Sequence, residues 1–198
     1  MATDLDQVVG SLTGFYHFAG KTVVAVGAGG GQLAEYARET RRVIAVDRDG
    51  AALEHLAMRS DERGLADKFV LLHGDLRALR PSGDVVLFEF CLHEMEDPDR
   101  ALAHAAGLAP DVLVIDHAPG SRWEWCAAEE DGVEAAWAAV ARRPIRRVRD
   151  VEAFQRFGDY AELEAKLAAQ GPRSLERITT YRGHSPIAIP MPYRLALV

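Results

Sequence analysis

The sequence predicts an α/β fold in which a mostly parallel β-sheet lies between two layers of helices. Between residues 22 and 117, five short apolar segments alternate with helical segments at regular intervals. These segments are apolar along their whole length, as strands that are buried on both faces of a sheet are. A glycine-rich turn directly follows the first segment, which is typical of a nucleotide-binding βαβ unit.

Length and composition indicate a globular protein. The 198 residues suffice for one ordinary domain with its own core, and we expect residues 1–198 to form a single domain. Contents of 48% hydrophobic and 27% charged residues are those of a globular chain. No apolar stretch reaches the length of a membrane span, and the first six residues lack the layout of a signal peptide.

Charge and cysteine content restrict the compartment and the partners. Cys91 and Cys126 form no disulfide framework, so we expect a cytoplasmic protein with reduced thiols. The formal net charge of −7 argues against a nucleic-acid partner, because phosphate contacts need clustered cations. A small-molecule substrate is therefore expected. The oligomeric state stays open, with a homodimer as one expectation.

Hydrophobic periodicity and capping residues predict the order of the elements. Helical spacing of Leu5, Val8, Leu12 and Phe15 predicts a helix over residues 4–18. Further helices are expected after the glycines, from Asp49 to about residue 64, and from residue 98, where aspartate and proline start a helix. The predicted strands cover residues 22–26, 43–46, 69–72, 84–90 and 112–115.

The regular alternation stops after the fifth strand. Residues 121–170 have a mostly helical composition and contain all three tryptophans, so they predict a helical cap. Two more strands are expected near residues 175–182 and 193–198.

The glycine run and an aspartate predict a ribose-bearing ligand. Gly27, Gly29 and Gly31 let the backbone turn sharply and approach a ligand closely. Asp47 ends the second apolar segment, sixteen residues after the last glycine of the run. A carboxylate there accepts hydrogen bonds from two neighbouring ribose hydroxyls.

Four motifs in order resemble those of the class I S-adenosylmethionine-dependent methyltransferases of the small-molecule type. Residues 23–31 are similar to the glycine-rich first motif of that family, and Asp47 matches its ribose-binding acid. Residues 74–76 resemble the segment whose aspartate binds the adenine amino group. Residues 84–98 resemble the fourth-strand motif, with its leucine-histidine and aspartate-proline pairs. The resemblance covers roughly residues 20–120 and the last strands, but not residues 121–170.

The resemblance implies a Rossmann-like three-layer sandwich. Its seven-stranded, mostly parallel sheet would have an antiparallel last strand, with the helical cap inserted after strand five. It also implies S-adenosyl-L-methionine as the cofactor, bound by Gly27, Gly29, Gly31, Asp47, Asp75 and Leu76. One departure concerns Ala25, which stands where the family usually has an acid that organises the methionine end. Glu89, at the end of the fourth strand, is the predicted substitute facing the ammonium group; water and backbone carbonyls are the alternative.

The candidate catalytic residues are His93 and His117, which follow the fourth and fifth strands. Open α/β sheets bind ligands at these strand ends, and a neutral imidazole can take a proton from an acceptor. The alternative is that either histidine only shapes the site. No metal is expected, although His73, His93, Glu94, His104, Asp116 and His117 offer donor atoms, because none of their spacings is a trusted ligand pattern.

The predicted cap holds two further groups of residues. Trp123, Trp125 and Trp137 predict either core packing or an aromatic pocket above the methyl group. Phe154, Phe157 and Tyr160 recur at three-residue steps, as on one helix face. The arginines of residues 142–149 could bind an anion, but residues 121–150 carry six positive and six negative charges, which favours internal pairing.

The sequence therefore predicts methyl transfer from S-adenosylmethionine to a small organic molecule. One alternative is an NAD(P)-dependent oxidoreductase, since Gly29, Gly31 and Ala34 formally fit a dinucleotide fingerprint. Against it, the turn begins at Gly27, which leaves Gln32 where a third glycine belongs. The other alternative, kept open by Ala25, is a protein that binds S-adenosylmethionine without transferring its methyl group.

Overall fold

The computed structural model describes residues 5–198, so residue 4, the predicted start of the first helix, lies outside the described residues. Among residues 5–198, no helix combines the length and apolar composition that a membrane span requires. The α-helices are α1 Leu5–Phe15, α2 Gly50–Glu62, α3 Pro98–Ala105, α4 Arg122–Ala127, α5 Glu130–Ala141, α6 Tyr160–Leu167 and α7 Pro172–Arg177. The strands are β1 Thr22–Val26, β2 Arg42–Asp47, β3 Phe69–His73, β4 Val85–Glu89, β5 Asp111–His117, β6 Arg147–Val151, β7 Phe154–Phe157, β8 Ile187–Pro190 and β9 Tyr193–Leu197.

Seven strands form one twisted sheet in the order β3-β2-β1-β4-β5-β9-β6. The pairs among β1 to β5 are parallel, whereas β9 runs antiparallel to both β5 and β6. The predicted fold class is therefore confirmed, including the antiparallel last strand. The strands β7 and β8 form a separate antiparallel pair.

Alternate side chains of β1 enter cores on opposite faces of the sheet. Val23 and Ala25 join the core that contains α1, α2, α4 and α6 residues. Val24 and Val26 join the core that α3 and α5 cover. This alternation follows from the two-residue period of a strand, and it gives the three layers of helix, sheet and helix.

The predicted helix caps are confirmed. The side chain of Asp49 accepts a hydrogen bond from the Ala51 amide at the start of α2. The side chain of Asp97 accepts one from the Arg100 amide, with Pro98 at the first helical turn of α3. The segment after the glycines forms a 3-10 helix, Ala34–Glu39, rather than an α-helix.

The prediction that all five strands are buried on both faces is wrong for β3. This strand lies at the edge of the sheet, and its Val70 and Leu71 side chains are 39% and 36% exposed. An edge strand has a neighbour on one side only, so its apolar side chains receive less cover.

The predictions for the last third of the chain need three corrections. Residues 121–170 are not only helical, since they contribute β6 to the main sheet and also contain β7. Phe154 and Phe157 consequently lie on a strand, and Tyr160 begins α6, so these aromatics share no helix face. Residues 175–182 form the end of α7 and a 3-10 helix rather than a strand, because Gly171 and Pro172 start a helix there.

The arginines of residues 142–149 pair within the protein, mostly with acids outside residues 121–150. Arg142 and Arg143 contact Asp99 at the start of α3. Arg146 lies 2.8 Å from Asp111 on β5. Arg147 donates a hydrogen bond to the Phe15 carbonyl oxygen at the end of α1. These contacts connect β6 and the residues just before it to α1, α3 and β5.

Candidate functional site

Two cavities adjoin each other at the carboxyl ends of β1, β4 and β5. The first cavity has a volume of about 400 Å³ and extends from the glycine turn to the start of α3. The second cavity has a volume of about 250 Å³ and lies under α1 and α6. Gln32, Phe90 and Glu94 line both cavities. The strand order reverses between β1 and β4, where open α/β sheets bind their ligands.

The glycine turn is held tightly against the end of β4. Gly27 has a φ of +66°, and a Cβ atom there would lie 2.4 Å from Cβ of Cys91. Only glycine fits this position, since a side chain would suffer both backbone strain and a clash. Gly27 and Gly29 line the first cavity, as predicted, whereas Gly31 packs against Leu56 of α2 and supports the turn from behind.

Asp47 lies at the end of β2 and orders the glycine turn. Its Oδ2 accepts a hydrogen bond from the Gly29 amide at 3.1 Å, and its Oδ1 accepts one from the Asp49 amide at 2.9 Å. Each carboxylate oxygen keeps a second lone pair. Because Asp47 also lines the first cavity, it can accept hydrogen bonds from two hydroxyl groups there.

Asp75 and Leu76 line the same cavity on the side of α3. Arg77 donates to both carboxylate oxygens of Asp75, and these bonds lower the pKa of Asp75 to about 2. Asp75 is therefore an ionised acceptor that a ligand would share with Arg77. The carbonyl oxygen of Leu76 faces Nε2 of His104 at 3.0 Å.

Glu89 ends β4 and brings a buried carboxyl group to the first cavity. Its Oε1 accepts a 2.7 Å hydrogen bond from the hydroxyl group of Tyr36. Burial raises the pKa of Glu89 to about 7, although the bond from Tyr36 opposes this shift. Ala25 is fully buried in β1 and does not line the cavity. Glu89 does line it, and it stays the predicted substitute for the acid that Ala25 replaces.

His93 and His117 meet at the second cavity, as predicted from their strand ends. Their ring centroids are 5.1 Å apart, and both side chains are buried. Asp116 lies between them: its Oδ1 accepts from Nδ1 of His93 at 2.6 Å, and its Oδ2 accepts from the His93 amide at 3.1 Å. The Oδ1 atom also accepts from the His117 amide at 2.8 Å.

The two histidines have opposite electrostatic environments. Burial disfavours a charge on His93, but the hydrogen bond and charge of Asp116 outweigh it and raise the pKa of His93. Burial lowers the pKa of His117 to about 4 despite the same aspartate. At neutral pH, His93 is therefore the charged ring and His117 the neutral one.

Glu129 is the residue of this group that sequence reasoning missed. It precedes α5, and its Oε2 lies 3.9 Å from Nε2 of His93 and 3.8 Å from Nε2 of His117. Gly132 permits this approach, because a Cβ atom at position 132 would lie 2.3 Å from the carbonyl oxygen of His93. No local sequence pattern indicates a role for Glu129, because the close contact between Gly132 and His93 exists only in the folded chain.

The three tryptophans have different surroundings. Trp123 lines the second cavity and stacks on Phe157, with ring centroids 6.0 Å apart. Trp137 donates from Nε1 to the carbonyl oxygen of His117 at 2.6 Å and thereby positions that residue. Trp125 packs between guanidinium groups of Arg122 and Arg177. An aromatic wall is thus present at Trp123 and core packing at the other two.

Phe90 lies where the two cavities meet and has a strained backbone conformation. Its φ of +50° is uncommon for a residue with a side chain. Its ring lies 5.3 Å from that of His117 and 6.0 Å from that of Tyr193. The conformation turns the chain sharply after β4, between Glu89 in the first cavity and His93 in the second.

The sequence and the fold of this chain are similar to those of known methyltransferases. Residues 24–110 match the family model described as a methyltransferase domain. A sequence search of curated proteins gives no match. The fold is similar to that of the YcgJ protein from Bacillus subtilis, with a TM-score of 0.72, 16% identity and 97% of each chain covered.

Two further solved structures share the fold. A candidate methyltransferase from Bacillus halodurans C-125 has a TM-score of 0.66 and 13% identity, over 96% of this chain and 97% of that one. A SAM-dependent methyltransferase from Aquifex aeolicus has a TM-score of 0.57 and 17% identity, over 99% of this chain and 90% of that one.

Proposed function

We propose that this chain is a class I S-adenosylmethionine-dependent methyltransferase and that it transfers a methyl group to a small organic molecule held in the second cavity. The observation that carries the proposal is the junction of the two cavities at Gln32, Phe90 and Glu94. A donor in the first cavity and an acceptor in the second would meet there, and proximity with exclusion of water is what methyl transfer requires.

S-adenosylmethionine fits the residues of the first cavity. The glycine turn has no side chains that would keep a ligand away from its backbone beside Asp47. The free lone pairs of Asp47 can accept hydrogen bonds from ribose hydroxyls. Asp75 and Leu76 would contact the adenine, and Glu89 would face the ammonium group of the methionine end. When bound, S-adenosylmethionine supplies a methyl group on a positively charged sulfur, which accepts the bonding electron pair when the methyl group leaves.

The second cavity is proposed to select the acceptor. Its volume of about 250 Å³ restricts the acceptor to a small molecule, and residues 121–170 supply much of its wall. Trp123 and Leu167 give it apolar surface, while Gln155 and Lys166 add polar groups. His93 and His117 line it, and we propose that these two residues act on the acceptor group.

A screen with isotope-labelled S-adenosylmethionine tests this function. Small phenols, alcohols, thiols and amines are incubated with the protein, and labelled product is separated from the donor. We expect transfer to one chemical class and tight binding of S-adenosylhomocysteine in calorimetry. Labelling of no class, or tighter binding of a nicotinamide dinucleotide, would contradict the proposal.

Variants of the two histidines connect the transfer to the second cavity. His93→Ala or His117→Ala should lower turnover by about 10²–10⁴-fold, the range for a side chain that acts on a reacting group. Affinity for S-adenosylhomocysteine should stay nearly unchanged, since neither histidine lines the first cavity. His184→Ala is the control, because His184 is exposed and lines neither cavity. Unchanged turnover in both variants would remove these residues from the acceptor site.

A further inference from the structure

Three potential metal ligands lie close together on one side of the second cavity. His93, His117 and Glu129 each offer one ligand atom, and these atoms all lie within 4.8 Å of one another. Tetrahedral ligands at bond lengths of about 2.1 Å are about 3.4 Å apart. The distances of 3.9 Å and 3.8 Å from Glu129 Oε2 to the two Nε2 atoms are thus about half an ångström wider. A metal ion would have to draw these atoms together by this amount.

The carboxylate of this cluster has one oxygen bonded and one not: its Oε1 accepts a 2.9 Å hydrogen bond from the side-chain amide of Gln170. Within residues 5–198, Oε2 of Glu129 is buried and accepts no hydrogen bond. Buried polar atoms are nearly always hydrogen-bonded, and an unpaired one destabilises the fold. Nδ1 of His117 is also buried without a partner in the described chain. A bound metal ion would take the place of the proton on Nε2 of His93, which lies 3.9 Å from Oε2 of Glu129, and would use this oxygen as a ligand.

Asp116 supports His93 as carboxylates support metal-binding histidines. Its 2.6 Å bond to Nδ1 of His93 fixes the ring and leaves Nε2 facing Glu129. Carboxylate partners of this kind hold the tautomer and raise the basicity of a metal-ligating imidazole. Trp137 fixes the backbone of His117 in a comparable way, through its 2.6 Å bond to the carbonyl oxygen. Two of the three ligands are therefore preorganised.

We propose that His93, His117 and Glu129 form a binding site for one divalent transition-metal ion, with zinc or iron(II) as the best-suited ions. Two imidazole nitrogens and one carboxylate oxygen suit these metals better than magnesium or calcium, which prefer oxygen ligands throughout. Three protein ligands leave at least one coordination position free. That position faces the second cavity, since all three residues line it.

The metal site refines the proposed function and rests on it. A metal ion with an open position next to the cavity junction would bind the acceptor through a hydroxyl or thiol group. On transfer, the proton of that group passes to water and its heteroatom forms the new bond to the methyl carbon. The electron pair of the old carbon–sulfur bond remains on the donor sulfur. The substrate class is thus a small alcohol, phenol or thiol rather than an amine that is protonated at neutral pH.

Cobalt(II) is the probe for this site, because its visible absorption reports the ligand geometry. Chelator-treated wild-type protein is titrated with Co²⁺ and then with Zn²⁺ as a competitor. We expect one Co²⁺ per chain, with intense bands of low coordination number that Zn²⁺ abolishes. Glu129→Gln should weaken binding by about tenfold or more, since loss of even a supporting residue costs 10–100-fold. Glu130→Gln is the matched control, because Glu130 pairs with Arg177 instead.

Two further measurements separate the possible failures. Thermal unfolding with and without Zn²⁺ detects binding in the wild type, so the test does not depend on the folding of Glu129→Gln. Absence of stoichiometric binding by the wild type, or equal binding by Glu129→Gln and the wild type, would overturn the metal site. Calorimetry of metal-free protein with S-adenosylhomocysteine tests the methyltransferase function separately, since its proposed residues lie in the first cavity.

Discussion

The hydroxyl group of Tyr36 donates a 2.7 Å hydrogen bond to the carboxyl group of Glu89, and both side chains are buried beside the first cavity. The bond joins the 3-10 helix after the glycine turn to the end of β4. It holds a protonatable group at a place where a bound ligand would bring positive charge. The charge state of Glu89 therefore links protein stability to ligand binding.

Glu89→Gln should flatten part of the pH dependence of stability. Burial raises the pKa of Glu89 to about 7 from an ordinary value of 4.5. Between these pH values the unfolded chain releases the proton and the folded chain retains it, so stability falls as pH rises and levels off above about 7. The decrease should reach about 3 kcal/mol at 1.36 kcal/mol per pKa unit.

Urea unfolding of wild type and variant from pH 4 to pH 8 measures this effect. The difference between the free energies of unfolding of wild type and variant should change between pH 4.5 and about 7. Taking this difference cancels the contributions of other titrating groups. Tyr36→Phe provides a second comparison: it removes the bond that opposes the shift, so the pKa of Glu89 in the folded chain should rise and the fall in stability should extend to higher pH. Parallel profiles for wild type and Glu89→Gln would contradict the assignment.

Asp47→Ala should weaken binding of S-adenosylhomocysteine by about 1.5–3 kcal/mol, the range for hydrogen bonds to a charged group. The variant loses the proposed ribose contacts and also the bond that orders the Gly29 amide. Calorimetry gives the affinity, and Asp61→Ala on the exposed face of α2 serves as the control. Equal affinities of Asp47→Ala and the control would exclude a ribose role.

Phe15→Ala should lower the free energy of unfolding by about 3–5 kcal/mol, as large-to-small changes at buried aromatics do. Phe15 is 1% exposed, and Arg147 stacks 4.3 Å from its ring centroid. Phe15 thus anchors the end of α1, whereas Leu5 and Val8 of its first turns line the second cavity. Denaturant unfolding gives the value. A loss below 1 kcal/mol would indicate that α1 is loosely attached.

Asp116→Asn should reduce Co²⁺ affinity by about 10–100-fold if the metal site is present, as changes beside metal ligands do. Asparagine keeps the size of the side chain but offers only one oxygen for the contacts that Asp116 makes with His93 and the His117 amide. The absorption titration designed for Glu129 measures the change. Asp84→Asn, at the opposite end of β4, is the control. Identical affinities of the two variants would show that Asp116 does not position a metal ligand.

The parts of this protein that could be predicted from sequence depend on local signals. The glycine turn, Asp47 and the Asp97 cap lie within short stretches whose backbone geometry their own residues dictate. His93 and His117 could be placed because strand ends meet at one edge of a parallel sheet. Glu129 could not, since its approach to His93 depends on the packing of α5 through Gly132.

The edge strand β6 escaped prediction for a different reason. Its residues are mostly exposed and rich in arginine, so they carry no apolar pattern, and pairing with β9 alone makes them a strand. The opposite error occurs for residues 175–182, which are predicted to form a strand and are helical. Their mixture of apolar and β-branched residues is typical of a strand, but Pro172 starts a helix just before them.

One stretch of the chain lines the first cavity, whereas residues before and after β5 line the second, and this difference has an evolutionary consequence. All residues of the first cavity fall between Val26 and Ala101, whereas Glu129, Gln155, Lys166 and Met191 of the second come after β5. Recombination within the segment after β5 could therefore replace the C-terminal part of the wall of the second cavity while the first cavity is inherited unchanged. Chimeras joined just beyond His117 should retain affinity for the donor and acquire the acceptor preference of the parent that contributed the C-terminal segment.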